Sequence, residues 1–204
     1  MEVAEFRAQT RAEILGPRYS GVLHFGFVNA LAFSVIAYAA MKVQHPGWSL
    51  LTVPITFLYA NLVEWLAHRG PMHNRRRFLG LVFKRHTLMH HHFFTHDSMQ
   101  LESTRDFKMV LFPPVLLLFF FGLFALPIGF LLRAVAGMNV AAFFVATAMS
   151  YYMLYEWLHL AYHLGLGGEL RLHHQAHHDP ANMNRTNFNI TFPICDRLFG
   201  THER

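Results

Sequence analysis

Four long apolar runs dominate the pattern of the chain. They cover residues 21–43, 48–67, 109–132 and 138–158, and the third, which contains FPPVLLLFFFGLFALPIGFLL, has no polar face. About 20 apolar residues let a helix cross a bilayer, whereas a buried helix of a soluble protein is shorter and amphipathic. The pattern therefore predicts four transmembrane helices.

The polar stretches around these runs predict helices that lie along the membrane surface. Residues 1–20 form an amphipathic segment, and residues 75–94 mix basic with apolar side chains. Such a mixture is typical of a helix in the headgroup region, although a helix packed on the protein's own core would show it too. The chain shows no sign of a soluble second domain, so we expect one all-α polytopic membrane domain over residues 1–204, with residues 1–20 at the interface.

Composition agrees with a membrane protein, and charge predicts its orientation. Hydrophobic residues make up 53% of the chain and charged residues only 14%. All 17 Lys and Arg residues except Lys42 and Arg133 lie within 1–20, 68–108 and 159–204, on one side of the predicted spans. Cytoplasmic loops carry an excess of Lys and Arg. We therefore expect both termini in the cytoplasm, in a multi-pass protein of the bacterial inner membrane or the endoplasmic reticulum.

The net charge of +5 does not indicate nucleic-acid binding. Basic residues concentrate beside the spans, as at residues 75–77, where anionic lipid headgroups are the expected partner. The single cysteine, Cys195, excludes an internal disulfide. The Ala-Tyr-Ala sequence at 37–39 loosely matches a signal-peptide cleavage site, but the first run continues to residue 43 and is long for a signal peptide. We expect it to remain as a span.

Histidines form the candidate site. They cluster in KRHTLMHHHFFTHD at 84–97 and in LHHQAHHD at 172–179, and a shorter pair precedes each cluster. A helix brings residues i and i+4 onto one face, so His86 is expected to face His90, and His159 to face His163. Gly70 and the proline after it are expected to break the helix between His68 and His73. In the predicted topology all four groups lie on the cytoplasmic face.

The two halves of the chain repeat one order of elements. Each has a pair of spans, then Glu-Trp-Leu, then a histidine pair and a histidine cluster, with Glu-Trp-Leu starting at Glu64 and at Glu156. Similar halves often place a site between them. We therefore expect both halves to contribute ligands to one place.

The spaced histidines are more numerous than the ligands of one metal ion. A zinc ion takes about four ligands, whereas two six-coordinate ions could share ten imidazoles and keep positions open for oxygen or water. Iron suits imidazole and redox chemistry, although ligand type does not exclude zinc or copper. The predicted ligands are His68, His73, His86, His90, His91, His159, His163, His174, His177 and His178.

Other polar residues near the clusters have open roles. His92, His96 and His173 neighbour predicted ligands, and the sequence does not decide whether they bind metal. A metal-bound imidazole usually donates its second N–H to a carboxylate or a carbonyl. The carboxylates predicted to accept such bonds are Glu64, Glu156, Asp97 and Asp179, of which the two glutamates could instead bind metal directly.

Taken in order, the four motifs resemble the fatty acid hydroxylase and sterol desaturase superfamily of integral membrane di-iron enzymes. They read His-x4-His, His-x3-His-His, His-x3-His and His-x2-His-His, with a pair of spans between the second and the third. The tail NFNITFPICDRLFGT at 187–201 is similar to the C-terminal signature of that superfamily, and the likeness covers residues 62–201. The His86–His90 spacing is one residue longer than in many members.

The resemblance implies that the ten histidines hold two iron ions, which zinc can replace in purified protein. It also implies that O2 is activated with NAD(P)H-derived electrons from a separate ferredoxin-type or cytochrome-type donor and its reductase. One oxygen atom would then enter a C–H bond of a lipid substrate. We therefore expect an oxidoreductase that hydroxylates a lipid, foremost a fatty acyl chain.

Three alternatives stand beside this hypothesis. A sterol or isoprenoid oxidase, or a desaturase, begins with the same hydrogen abstraction, and nothing in the sequence excludes it. A metal transporter needs polar residues within its spans, and the third and fourth runs offer little beyond Thr147 and Ser150. A catalytically inactive scaffold is disfavoured by the complete set of spaced histidines.

Overall fold

A computed structural model describes residues 2–16 and 18–203 of the chain. The fold is 71% helix, and the described residues form no β-strand beyond an isolated bridge between Thr95 and Ser98. The described α-helices are α1 (Val3–Glu13), α2 (Gly21–Ala40), α3 (Thr52–Ala67), α4 (Gly80–Phe83), α5 (His91–Phe93), α6 (Phe107–Val110), α7 (Pro114–Phe120), α8 (Leu126–Ala136), α9 (Met138–His163), α10 (Gly168–His177) and α11 (Ile194–Leu198).

Short turns of other helix types lengthen several of these helices. A 3₁₀ turn at Gly47–Leu51 leads into α3, and π-helical turns follow α3 (His68–Met72), α4 (Lys84–His90) and α7 (Phe121–Ala125). In the part of the chain that the structure describes, four segments are long and apolar enough to cross a membrane: Gly21–Ala40, Gly47–Met72, Thr104–Ala136 and Met138–His163. The all-helical multi-pass fold predicted from the four apolar runs is confirmed.

One compact unit of the fold comprises Leu23–Ala60 and Phe112–Tyr155. Its core contains Val28, Ala32, Leu117, Met149 and Met153. Many apolar side chains on the outside of this unit remain exposed, for example Leu23 at 75% and Phe130 at 65%. Contact of so much apolar surface with water is unfavourable, whereas contact with lipid is not. The pattern of exposure fits a bundle that faces hydrocarbon.

The second unit comprises the described residues of 1–22, Asn61–Leu111 and 156–203, and it contains all ten predicted metal ligands. A small core of Trp65, Phe188 and Cys195 links the end of α3 to the C-terminal segment. The indole Nε1 of Trp65 donates a hydrogen bond of 3.0 Å to Thr201 Oγ1. The tail is thereby anchored beside the histidines.

The chain bends directly after α3, where the sequence predicted a break. Gly70 has non-helical dihedral angles, with φ −87° and ψ −106°, inside the π-helical turn. The rings of His68 and His73 on either side of it stack with centroids 5.0 Å apart. The predicted break is confirmed, and it lets two histidines five residues apart point to one place.

The basic segment after this bend is both packed and exposed. Val82 and Met89 are buried, while Phe78 is 88% exposed and Leu81 is half exposed. One side of residues 75–94 thus packs on the protein, and the other presents apolar side chains beside exposed arginines. Its position in the headgroup region stays a prediction.

Candidate metal centre

All ten predicted ligands are buried within the second unit, with exposures from 0% to 6%. They come from four places in the chain: the π-helical turn after α3 with the residue that follows it, the second π-helical turn with the start of α5, the end of α9, and α10 with the residue after it. On α9, His159 and His163 share a helical face as predicted, with ring centroids 5.1 Å apart. The fold thus brings side chains from both halves of the sequence to one place.

The imidazole nitrogens fall into two groups that could each hold a metal ion. The first histidine group is His68, His73, His86, His91 and His177, and the second is His90, His159, His163 and His174. In each group the ligand atoms lie within 4.8 Å of one another. We count His178 with the second histidine group because its Nε2 lies 3.2 Å from His90 Nε2 and 3.1 Å from His174 Nε2.

Spacing between the nitrogens suits imidazoles that share an ion. Neighbouring Nε2 atoms in the first histidine group are separated by 2.7 Å (His68–His86), 3.0 Å (His86–His91) and 3.2 Å (His73–His86). A metal–nitrogen bond of about 2.1 Å places two ligands at right angles about 3.0 Å apart, and two tetrahedral ligands about 3.4 Å apart. The observed separations are therefore short enough for these nitrogens to share one ion.

Burial keeps these imidazoles in the neutral form that binds metal. Desolvation lowers the pKa of His73 and His90 to about 3. Burial, reinforced by neighbouring imidazoles, also holds the pKa of His86 and His91 well below its ordinary value. A neutral imidazole retains a lone pair for coordination, so the donor set fits one or more metal ions.

The second nitrogen of several rings faces a backbone carbonyl. Nδ1 of His90 lies 2.9 Å from Met109 O, and that of His163 lies 2.7 Å from Met99 O. Further pairs of this type are His177 Nδ1 with Thr186 O (2.8 Å), His178 Nδ1 with Phe94 O (2.6 Å) and His68 Nδ1 with Phe188 O. An N–H at Nδ1 that donates to a carbonyl leaves Nε2 unprotonated and oriented for a metal.

His86 and His90 face each other as predicted, with stacked rings whose centroids lie 5.3 Å apart, but their nitrogens belong to different groups. His86 belongs with His91 in the first histidine group, and His90 belongs to the second. The cause is local, because residues Lys84–His90 form a π-helical turn, in which hydrogen bonds join residue i to residue i+5. The two adjacent residues His90 and His91 therefore contribute to different groups.

With this geometry established, comparison with known proteins identifies the family. The family model described as fatty acid hydroxylase matches residues 53–201. The chain belongs to the fatty acid hydroxylase family. Among solved structures it is similar to the visible hydroxylase domain of full-length Scs7p, with a TM-score of 0.65 and 20% identity over 95% of this chain and 71% of that one. No curated protein matches the chain.

Family membership supports a lipid hydroxylase, which is an oxidoreductase, in a multi-pass membrane protein. The solved structure shares the fold, with four apolar helices and a histidine-rich cluster in the present chain. The predicted family resemblance is thereby confirmed over the segment that carries all ten histidines.

The predicted carboxylates occupy different positions in this hydroxylase. Glu64 accepts hydrogen bonds from the backbone N–H groups of Ile190 (2.5 Å) and Thr191 (3.0 Å) and from the Thr191 hydroxyl (2.7 Å). Glu156 is buried on α9, one turn before the first histidine of that helix. Glu64 thus holds the segment that contains Phe188, whose carbonyl faces His68.

The two aspartates lie nearer the surface. The side chain of Asp97 is 96% exposed and lies 3.0 Å from His96 Nδ1, and Asp179 accepts a hydrogen bond of 2.8 Å from Ala181 N. The roles of all four carboxylates as hydrogen-bond acceptors for metal-bound imidazoles stay predictions.

The three ambiguous histidines lie outside both histidine groups. His92 is exposed, and its Nδ1 lies 3.0 Å from Thr87 O. His96 pairs with Asp97, and Nε2 of the buried His173 lies 3.3 Å from Asp196.

Asp196 is a buried carboxylate that the sequence analysis did not single out by number. It is fully buried and accepts hydrogen bonds from the backbone N–H groups of Phe188 (2.9 Å) and Asn189 (2.8 Å) and from the Thr201 hydroxyl (2.7 Å). Burial alone would raise its pKa, but these bonds and His173 outweigh desolvation and lower it. The signal was present in the tail NFNITFPICDRLFGT, where a charged residue stands among apolar ones.

Proposed function

We propose that this protein is a di-iron membrane oxygenase that hydroxylates a lipid C–H bond, foremost on a fatty acyl chain. The observation that carries the proposal is the set of ten buried imidazoles whose Nε2 atoms converge in two neighbouring groups. The fatty acid hydroxylase family match gives this donor set its chemical context.

The first histidine group would hold one iron ion and the second the other, with zinc able to replace iron in purified protein. When bound, the two irons supply the redox chemistry that activates O2 with NAD(P)H-derived electrons from a separate ferredoxin-type or cytochrome-type donor and its reductase. Imidazole is a suitable ligand for iron, and five donors per ion leave room for one further ligand on a six-coordinate metal.

The protein's own residues orient the ligands and exclude water. Backbone carbonyls of Met99, Phe94 and Thr186 accept the Nδ1–H of ligand imidazoles and so fix the ring directions. Glu64 and Asp196 hold the 186–191 segment that supplies two such carbonyls. Glu156, Asp97 and Asp179 are proposed to support the ligands through hydrogen bonds as well.

The substrate would combine an acyl chain with an anionic headgroup that meets the basic surface of residues 75–77. Exposed apolar side chains of the spans suit an acyl chain, and the exposed arginines at 75–77 suit an anionic headgroup. In the proposed orientation this surface, both termini and the metal centre face the cytoplasm, where an electron donor can reach them.

The test compares lipid extracts of cells that make the wild type, His90→Ala or His92→Ala together with a ferredoxin and its reductase. His92 is the matched control because it neighbours His90 and is exposed outside both histidine groups. We expect one lipid class to gain an oxygen atom with the wild type and with His92→Ala, and the product to fall to background with His90→Ala.

Mass spectrometry of the extracts distinguishes the outcomes. The same product from His90→Ala would remove His90 from the metal centre. A lipid that loses two hydrogens instead of gaining oxygen would make the protein a desaturase. Unchanged lipids with a metal-loaded wild type would contradict lipid oxidation.

A further inference from the structure

An arginine on the N-terminal helix is buried beside the metal centre. Arg7 lies on α1, outside the residues matched by the family model, and is only 4% exposed. Its Nε donates to Phe93 O (2.7 Å), Nη2 to Ser98 O (2.5 Å) and Nη1 to Glu102 Oε1 (2.6 Å). The guanidinium carbon also lies 5.1 Å from the centre of the Phe93 ring. The Arg7 side chain therefore donates hydrogen bonds to backbone carbonyls near both ends of residues 93–99.

The 93–99 segment supplies carbonyls to the second histidine group. Phe94 O faces His178 Nδ1 at 2.6 Å, and Met99 O faces His163 Nδ1 at 2.7 Å. The segment begins at Phe93, the last residue of α5, and turns through the isolated bridge between Thr95 and Ser98. Because it lacks a helical hydrogen-bond ladder, its shape depends on bonds from outside, and Arg7 provides two of them.

The first histidine group has a different support. Its rings His68 and His177 face the carbonyls of Phe188 and Thr186, in the segment that Glu64 and Asp196 hold. The described hydrogen bonds of Arg7 do not reach that segment. The carbonyls that face the two groups thus come from different segments of backbone, and the second group has a further one in Met109 O, which faces His90.

We propose that Arg7 is a positioning residue for the second histidine group. Its forked guanidinium holds the 93–99 segment in the shape that lets Phe94 and Met99 fix the rings of His178 and His163. The proposal deepens the proposed function and rests on it for the presence of two bound ions. It assigns α1, which the family match does not cover, a role in retention of one ion.

The experiment measures release of zinc from the purified, fully loaded protein to a colorimetric chelator. Arg7→Met is compared with Arg7→Lys, which keeps the positive charge but lacks the planar set of guanidinium N–H donors, and with Arg105→Met. Arg105 is the matched control because its exposed guanidinium also binds the N-terminal segment, at Gly16 O (2.8 Å), without contacting residues 93–99. Each variant is also made with His86→Ala or with His159→Ala, so that only one complete group remains.

We expect Arg7→Met to speed release from the second histidine group by about 10-fold or more, and to leave release from the first within about twofold. Arg7→Lys should release nearly as fast as Arg7→Met, and Arg105→Met should match the wild type. Equal acceleration at both groups, or full rescue by Arg7→Lys, would overturn the proposal.

A milder variant keeps the test decisive if Arg7→Met fails to fold. Glu102→Gln retains a hydrogen-bond acceptor for Arg7 but removes the charge, and it should accelerate release from the second group alone by a few-fold. An unchanged rate would contradict the proposal. If the wild type bound fewer than two zinc ions, that result would contradict the proposed di-metal centre rather than the role of Arg7. The assay measures only zinc release, so its outcome does not depend on the lipid product.

Discussion

Each imidazole at this site uses its two nitrogens for different purposes. The Nε2 atoms converge on one another, and several Nδ1 atoms face backbone carbonyls such as Met109 O and Met99 O. Sequence reasoning looked for carboxylates as acceptors because only side chains can be read from a sequence. Every residue carries a carbonyl, so only the folded chain shows which carbonyl meets which ring.

Glu64 offers a test at the scale of a single residue. One carboxylate oxygen of Glu64 accepts from Ile190 N–H and the other from the Thr191 hydroxyl. In Glu64→Gln an amide NH2 replaces one of these oxygens, so a hydrogen-bond donor stands where an acceptor is needed. We expect the variant to lose about 2 kcal/mol of stability and to release the ion of the first histidine group about 10-fold faster. Unfolding in detergent and the zinc-release assay measure the two effects.

Glu169→Gln is the control for this prediction. Glu169 is exposed in the first turn of α10, so neutralising it changes the charge of the protein by the same amount. Its stability and its zinc release should stay close to those of the wild type. If both variants behave alike, Glu64 does not support the site.

At the scale of elements, the start of α10 positions three of the ten histidines. Gly167 precedes this helix with φ 112°, and a Cβ there would lie 2.6 Å from the ring of Tyr162. Tyr162 is fully buried and donates a hydrogen bond of 2.9 Å to Ile190 O. The close contact between this glycine and the tyrosine therefore couples α10 to the C-terminal segment.

Gly167→Ala should disturb this junction more than Gly168→Ala. Both positions have positive φ, which costs an L-residue about 1–2 kcal/mol, but a Cβ at Gly168 meets open space. Overpacking against Tyr162 should add about 2 kcal/mol at Gly167. Thermal unfolding in detergent should give a lower midpoint for Gly167→Ala, and equal midpoints would show that the ring moves aside freely.

At the scale of the whole molecule, the distribution of positive charge predicts the orientation in the membrane. Labelling of single cysteines in a Cys195→Ala background tests it. Glu169→Cys lies on the histidine side of the spans and Gln44→Cys between the first two spans, and both positions are exposed. An impermeant maleimide should label only Gln44→Cys in intact cells and only Glu169→Cys in inside-out vesicles. The reverse pattern would place the metal centre outside the cytoplasm.

The sequence by itself determined the all-helical membrane fold and the histidine set, because long apolar runs and spaced imidazoles are local properties of the chain. The break at Gly70 was local too, and it was predicted. Tertiary structure decided which imidazoles from distant parts of the chain share a group. The division between His90 and His91 is local and belongs to a π-helical turn that the sequence analysis did not predict. Tertiary structure also decided which backbone atoms Arg7 and Asp196 bond, because only folding brings residues so distant in sequence as Arg7 and Phe93 close together.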